Sequence, residues 1–253
     1  MSFYGSLAPL YDALFPFAPA SLGFLESLVG ESPSEGRLRR ALDAGCATGA
    51  LVLALAERGW EAIGIEPEAA MVEAARDEAR RRGLGLARFV AGDMLDAPAL
   101  VGPGPFDLVL CLGNTLPHLP PVAARRFLAI ARGLLGPGGC LALQLVNYAA
   151  AEIRPGFRFP DLVARGYRFR RRYEPAAAER EGMERLRFVG ELVDERDGSL
   201  RTEELLLHAL TPAWLQKNLE EAGFAPPRLA SGWDGGSFAE ERDRYLIAAA
   251  SPR

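Results

Sequence analysis

Residues 38–49 read LRRALDAGCATG, and this stretch decides the fold. A short apolar strand over Leu38–Asp43 runs into a glycine-bearing turn and then straight into a helix over Ala50–Arg58, which Gly59 ends. A strand, tight turn and helix in this order are the repeating unit of open α/β sheets. Their ligands bind at the carboxyl ends of the strands, beside a helix N-terminus. Gly45 and Gly49 permit the tight turn and, lacking a Cβ, a close approach of backbone to ligand. The spacing then sorts the ligands. A dinucleotide fingerprint requires G-x-G-x-x-G and a phosphate loop requires Gly-Lys-Ser/Thr; Ala47 interrupts the first and no lysine stands near for the second. A turn of this kind also arises for purely structural reasons, so it indicates a ligand only in combination with the ends of the next strands.

Outward from this unit, strands and helices alternate. Strands are expected over Ala62–Ile65, Ala87–Ala91, Phe106–Leu112 and Cys140–Val146, with helices over Ala69–Arg82 and Val122–Leu135. The run FDLVLCL is apolar throughout, as a parallel strand covered on both faces is. The pattern changes after residue 149. Tyr167–Tyr173, Met183–Val193 and Leu200–Leu210 read as longer antiparallel strands, with Gly198 in a tight turn between the last two. Thr211-Pro212 then opens a helix, Thr as N-cap and Pro at the first position, that runs to Glu221. Closing strands are expected around Arg228–Ser231 and Tyr245–Ala249. The expected fold is α/β: a Rossmann-like, doubly wound, mostly parallel seven-stranded sheet with an inserted antiparallel β subdomain. Residues 1–36 form an N-terminal cap with a helix over Ala20–Leu28, residues 37–149 and 211–253 the core, and 150–210 the insertion, which covers the acceptor site or forms a dimer contact.

Two further strand ends carry chemistry. Gly64-Ile65-Glu66-Pro67 puts a carboxylate where it can accept from ribose hydroxyls, each desolvated bond contributing about 1.5–3 kcal/mol. Gly92-Asp93-Met94 puts a second where it can accept from an adenine amino group, with the Met94 sulfur packing on the ring. Alone, Glu66 reads equally as a solvated loop residue and Asp93 as a turn residue. Three strand ends with compatible chemistry are harder to obtain by accident.

Composition narrows the classes. The chain has 253 residues, 29 basic and 33 acidic, for a net charge of −4. That balance argues against broad nucleic-acid binding, which usually brings a pI above about 9. Cys46, Cys111 and Cys140 are far apart, show no CxxC spacing and sit in apolar surroundings, so they read as buried thiols. No apolar run reaches the roughly 18–20 residues of a membrane span, and the N-terminus lacks a basic leader; the expected location is the cytoplasm. No His/Asp/Glu cluster has metal-ligand spacing, so no metal is expected.

Together the segments DAGCATG, GIEPEAAM, AGDM and FDLVLCLGN resemble the class I S-adenosylmethionine-dependent methyltransferases over about residues 38–147. The resemblance implies an enzyme that binds S-adenosylmethionine and releases S-adenosylhomocysteine. It implies that Gly45, Cys46, Ala47 and Gly49 line the methionine moiety. Glu66 would hold the ribose, with Pro67 and Met71 near the adenosine, Asp93 and Met94 at the adenine, and Leu112 and Gly113 along the cofactor. Tyr11 in YDALF, joined by Tyr4, resembles an aromatic cover over the bound cofactor. Ala47 stands where the family usually has glycine, and a slightly shifted loop is expected from it.

The acceptor side is read from LGNTLPHL at 112–119 and VNY at 146–148. These are similar to the glycine and sarcosine N-methyltransferase group. The similarity implies that Asn114 and His118, the candidate catalytic residues, sit beside the transferring methyl, with Asn147 and Tyr148 also in the acceptor site. Asn114 and Asn147 are two of the three asparagines in the chain, and both fall at the carboxyl edge of the sheet. His118 reads equally as a helix-start residue bonded to backbone, and His208, in the insertion, as structural. The D/N-P-P-aromatic motif of base-directed members is absent from Asn114–Pro117. In the insertion, alternation puts Arg168, Arg170 and Arg172 on one strand face, with Arg165 and Arg171 nearby. The three on that face, Arg168, Arg170 and Arg172, either anchor an acceptor carboxylate or phosphate, or protect a solvated edge strand by charge. The leading expectation is methyl transfer to nitrogen or oxygen of a small molecule, from a protein that is monomeric or homodimeric. The alternatives are methylation of nucleic acid or protein, and a cofactor-binding module without turnover; a nicotinamide dehydrogenase is disfavoured by the missing glycine pattern.

Overall fold

The computed structural model describes residue 5 and residues 7–30, 37–176 and 184–253. Eleven strands are present among them: β1 Arg40–Ala44, β2 Glu61–Glu66, β3 Ala87–Ala91, β4 Phe106–Cys111, β5 Leu135–Val146, β6 Leu162–Ala164, β7 Tyr167–Pro175, β8 Arg185–Asp194, β9 Leu200–His208, β10 Arg228–Ala230 and β11 Tyr245–Ala250. The α-helices are α1 Tyr11–Leu14, α2 Ala20–Ser27, α3 Ala50–Glu57, α4 Ala69–Arg82, α5 Ala97–Val101, α6 Pro121–Leu134 and α7 Pro212–Glu221.

Seven strands form one sheet in the order β10-β11-β5-β4-β1-β2-β3, with β1–β5 parallel and β11 antiparallel to both neighbours. Side-chain alternation sends Val109 and Cys111 into one core and Leu108 and Leu110 into the other. One core lies under α6 and α7 and the other under α2, α3 and α4. Two covered faces explain why β4 shows no polar alternation. Chain order runs outward from β1 in one direction through β2 and β3 and resumes on its other side at β4. That reversal leaves a crevice at the carboxyl ends of β1 and β4.

The sequence expectations hold within a residue or two for most elements. The largest difference is β5, which begins at Leu135 and carries Gly136–Gly139 inside it, because Leu135 already pairs with Phe106 before a register shift. Thr211 caps α7 as expected, its Oγ1 accepting from the Trp214 N–H at 3.2 Å.

The remaining strands form a separate antiparallel sheet, β6-β7-β8-β9. Here the expected edge position of the arginine strand is corrected. β7 is flanked by β6 over Tyr167–Phe169 and by β8 along its length, and the sheet's edges are β6 and β9. Charge on β7 serves internal pairing: Arg168 reaches Asp161 and Glu195 at 3.2 and 2.7 Å, and Arg172 reaches Glu174 and Glu191 at 2.7 and 2.5 Å.

The opposite face of β7, apolar except for Arg171, joins the parts of the molecule. Phe169 and Leu192 of the second sheet pack with Leu7, Leu10 and Leu14 of the N-terminal segment and with Met71 of α4. Arg165, in the left-handed region at φ 52°, adds a bond from Nη1 to Pro9 O at 3.2 Å. Phe169 is only 1 % exposed, so Phe169→Ala opens a cavity that costs about 3–5 kcal/mol. Urea unfolding is the measurement; a loss under about 1 kcal/mol would mean that this cluster does not join the three parts.

Candidate functional site

The loop after β1 is shaped by its neighbours. The Gly45 and Cys46 N–H groups both donate to Ile65 O, at 2.8 and 3.1 Å, and the Ala47 N–H donates to Glu66 Oε2 at 3.0 Å. Gly45, Ala47 and Gly49 all have positive φ, at 84°, 49° and 80°. A Cβ on Gly45 would come within 2.5 Å of the Thr115 side chain, and one on Gly49 within 2.3 Å of the Phe89 ring. The glycines therefore make room for protein neighbours, which revises their expected role of clearing space for a ligand. Ala47 holds the left-handed conformation at a cost of about 1–2 kcal/mol, offset in part by its bond to Glu66.

Two carboxylates lie behind this loop. Asp43, at the end of β1, is buried, and its Oδ1 has no hydrogen-bond partner. Burial first, and the nearby Glu66 charge second, push its carboxyl up to about 7. Glu66 is also buried and shifted upward by desolvation, against bonds from the Ala47 and Glu68 N–H groups.

On the other side of the switch point, Asn114 is held by three hydrogen bonds to β5 and the residues just after it. Its N–H donates to Gln144 O at 2.9 Å, its Oδ1 accepts from the Val146 N–H at 2.9 Å, and its Nδ2 donates to the Tyr148 hydroxyl at 2.9 Å. Its φ of 63° is left-handed, a conformation asparagine tolerates better than most residues. Tyr148 is buried, which pushes its hydroxyl up to about 12. His118, at the end of a single 3-10 turn, is shifted downward by desolvation.

These loops open onto one cavity of about 670 Å³. Asp43, Gly45–Thr48, Leu112–Thr115 and His118 form its floor, Tyr11 and Phe15 of the N-terminal segment one wall, and Phe159, Arg171, Tyr173, Phe188 and Leu207 of the insertion another. The Thr48 hydroxyl is bonded to Asp12, tying that N-terminal wall to the floor.

Of the residues named from sequence, Tyr11, Gly45, Cys46, Ala47, Leu112, Gly113, Asn114 and His118 line this cavity. Gly49, Glu66, Pro67, Met71, Asp93, Met94, Asn147 and Tyr148 do not, and Tyr4 lies outside the described residues. Several have other work. Met71 and Met94 are buried in core clusters. Asp93 is exposed and accepts from the Leu95 N–H at 2.8 Å. Asn147 is fully buried: Nδ2 donates to the carbonyls of Glu240 and Asp243 at 2.6 and 2.7 Å, and Oδ1 accepts from the Ala149 N–H at 3.1 Å. Tyr148 reaches the site through Asn114 and through Tyr173, whose hydroxyl lies 3.5 Å from its own. Sequence reading passes over Asp43, Asp12, Gln144, Arg171, Tyr173 and Tyr245, all on the cavity wall. Only Asp43 carries a local signal, as the acid that ends the first strand.

Comparison with known proteins agrees with this geometry. Residues 41–139 match a family model described as a methyltransferase domain. The nocamycin O-methyltransferase of Saccharothrix syringae is 37 % identical over 167 residues, covering 60 % of this chain and 55 % of that protein. The glycine N-methyltransferase of Mus musculus is 32 % identical over 120 residues, covering 43 % and 41 %. The chain thus spans about half the length, or less, of these curated relatives. Among solved structures, the CcbJ methyltransferase from Streptomyces caelestis superposes with a TM-score of 0.79 over 99 % of this chain and 98 % of its own, at 21 % identity. That likeness concerns the fold.

Asp43 generates a test that needs no ligand. Its folded pKa of about 7 stands above the ordinary 3.8. Its contribution to stability is therefore full below that ordinary value and is lost as pH rises through about 7. Asp43→Asn should raise the unfolding free energy above neutrality by about 1–3 kcal/mol and leave it little changed in acid. Equal effects at both pH extremes would show that the Asp43 pKa is not raised on folding.

Proposed function

We propose that this chain, whose residues 41–139 form a class I S-adenosylmethionine methyltransferase domain, transfers a methyl group from S-adenosylmethionine to a nitrogen or oxygen of a small molecule. The observation that carries the proposal is the single cavity. It joins the carboxyl ends of β1 and β4 to the apolar face of the inserted sheet, so cofactor and acceptor would share one shielded chamber. Its volume is in the range of small-molecule sites, about 300–1,000 Å³, and the N-terminal segment and insertion close over it.

The residues present suit the cofactor. Asp43 lines the cavity and its buried Oδ1 has no partner, so its carboxyl suits a ligand ammonium. Glu66, Pro67, Met71, Asp93 and Met94 are our candidates for the nucleoside end, along β2 and β3. Bound S-adenosylmethionine would supply a sulfonium methyl, whose carbon an acceptor lone pair attacks in line as the carbon–sulfur bond breaks and S-adenosylhomocysteine leaves.

The chain's own part is placement and proton handling. Positioning in a shielded site can contribute up to about 7–11 kcal/mol. Asn114, braced by Val146, Gln144 and Tyr148, presents a rigid polar edge between the two halves of the cavity. His118, kept neutral near pH 7 by burial, is the candidate base for the proton an attacking amine or hydroxyl sheds. Relatives named as O- and N-methyltransferases support both acceptor atoms.

Calorimetry should find S-adenosylmethionine binding and no NAD binding; the reverse result refutes the proposal. Glu66→Ala and Asp93→Ala should each weaken that binding by about 1–2 kcal/mol, and unchanged affinity in both would remove them from the site. His118→Ala should lower kcat by about 100-fold or more with KM little altered. A change in KM alone would make His118 a wall residue.

A further inference from the structure

Phe169, Arg171 and Tyr173 project from the same face of β7, Phe169 into a core cluster and Arg171 and Tyr173 onto the cavity, while Arg168, Arg170 and Arg172 point the other way into ion pairs. Arg171 is the only lysine or arginine among the described residues of the cavity wall. Its guanidinium is packed among rings, 5.1 Å from the Phe159 centroid, 5.6 Å from Phe15 and 5.8 Å from Phe169. One hydrogen bond holds it, from Nη2 to Pro160 O at 2.9 Å, and Nε is buried with no partner. Among the described residues none forms an ion pair with it. Asp161 acts on it only at longer range, being paired with Arg168 and Arg170 at 3.2 and 3.8 Å.

A guanidinium offers five donors in a fixed planar fork. Burying that charge without an anion is costly, and the neighbouring rings compensate only in part. Desolvation accordingly shifts Arg171 downward. The remaining walls, Phe159, Tyr173, Phe188, Val146 and Leu207, suit an apolar body. The other fixed charges in the cavity are Asp12, engaged by Thr48, and Asp43 on the opposite floor.

We propose that Arg171 is the anion anchor of the acceptor site. The acceptor would be a small molecule with an apolar or aromatic body and a carboxylate or phosphate group, which pairs with the guanidinium. This rests on the methyltransferase reading above and adds the acceptor's chemical class to it.

The test uses the whole protein saturated with S-adenosylhomocysteine, titrated calorimetrically with phenylacetate, phenyl phosphate and the neutral benzyl alcohol. At least one anion should bind about 10-fold or more tightly than benzyl alcohol. A preference for phenylacetate indicates a carboxylated acceptor, and a preference for phenyl phosphate a phosphorylated one. Arg171→Gln should erase the advantage of the anion, and Arg171→Lys should keep part of it, while both variants retain S-adenosylhomocysteine affinity. The inference is overturned if benzyl alcohol binds as well as both anions or if neither anion binds at tens of millimolar. It is equally overturned if Arg171→Gln leaves anion affinity unchanged. Loss of S-adenosylhomocysteine affinity by the same factor in Arg171→Gln and Arg171→Lys overturns it too, because the arginine would then serve the cofactor. Failure of the wild-type protein to bind S-adenosylhomocysteine is seen before any probe is added. It refutes the methyltransferase reading, and this inference with it.

Discussion

The site depends on the tether between the ends of β1 and β2. Ile65 O takes the Gly45 and Cys46 N–H groups and Glu66 takes the Ala47 N–H, so the loop after β1 is bonded to the neighbouring strand end before any ligand arrives. Without that tether, three residues at positive φ would have no reason to hold their shape. Such strain, of order 1–3 kcal/mol per non-glycine residue, persists only where surrounding structure over-determines it. The constraint is reciprocal. Glu66 is buried where it is bonded to the loop, and its charge adds to the burial that raises the pKa of Asp43 one strand away.

A tether of this kind forms a floor but no chamber. The walls come from the two parts of the chain that do not belong to the central sheet. Leu7, Leu10 and Leu14 pack on Phe169 and Leu192 of the insertion as well as on Met71 of α4, so the N-terminal segment and the second sheet are built against each other. The Asp12–Thr48 bond then fixes that assembly to the cofactor loop.

How much of this is legible in the sequence depends on how local each signal is. The central sheet is readable because its signals lie within a few residues of each boundary, such as Gly45 and Gly49 after β1, Gly83 after α4 and Thr211 before Pro212. The three-residue β6 has no periodicity to read, and Leu135 joins β5 only because Phe106 is there to pair with it. Asn114 and Asn147 look alike as asparagines at strand ends. The difference lies in residues 240 and 243, whose carbonyls consume the Asn147 side chain. The arginine strand reads wrongly as an edge for the same reason: nothing in Tyr167–Tyr173 announces β8 on one side and β6 on the other. Alternation correctly separates Arg168, Arg170 and Arg172 from Arg171, but which face looks into a cavity is a tertiary fact.

That tertiary fact gives the cavity its polarity. Asp43 lies on the floor, unsatisfied and poised near neutrality, while Arg171 lies on the wall made by the insertion, charged and lacking an ion-pair partner among the described residues. Each is destabilising where it stands, since a buried polar group without a partner costs about 1–3 kcal/mol. Each cost is removed by a ligand group of opposite charge. A cofactor with an ammonium and an acceptor with an anion would therefore enter the same chamber at different ends, without competing for one another's anchor. The carboxylate and the guanidinium sit on elements the sequence separates by more than a hundred residues, and Asn114 is braced between them. Two molecules each held by its own anchor have few relative orientations left, which is the condition that in-line transfer imposes.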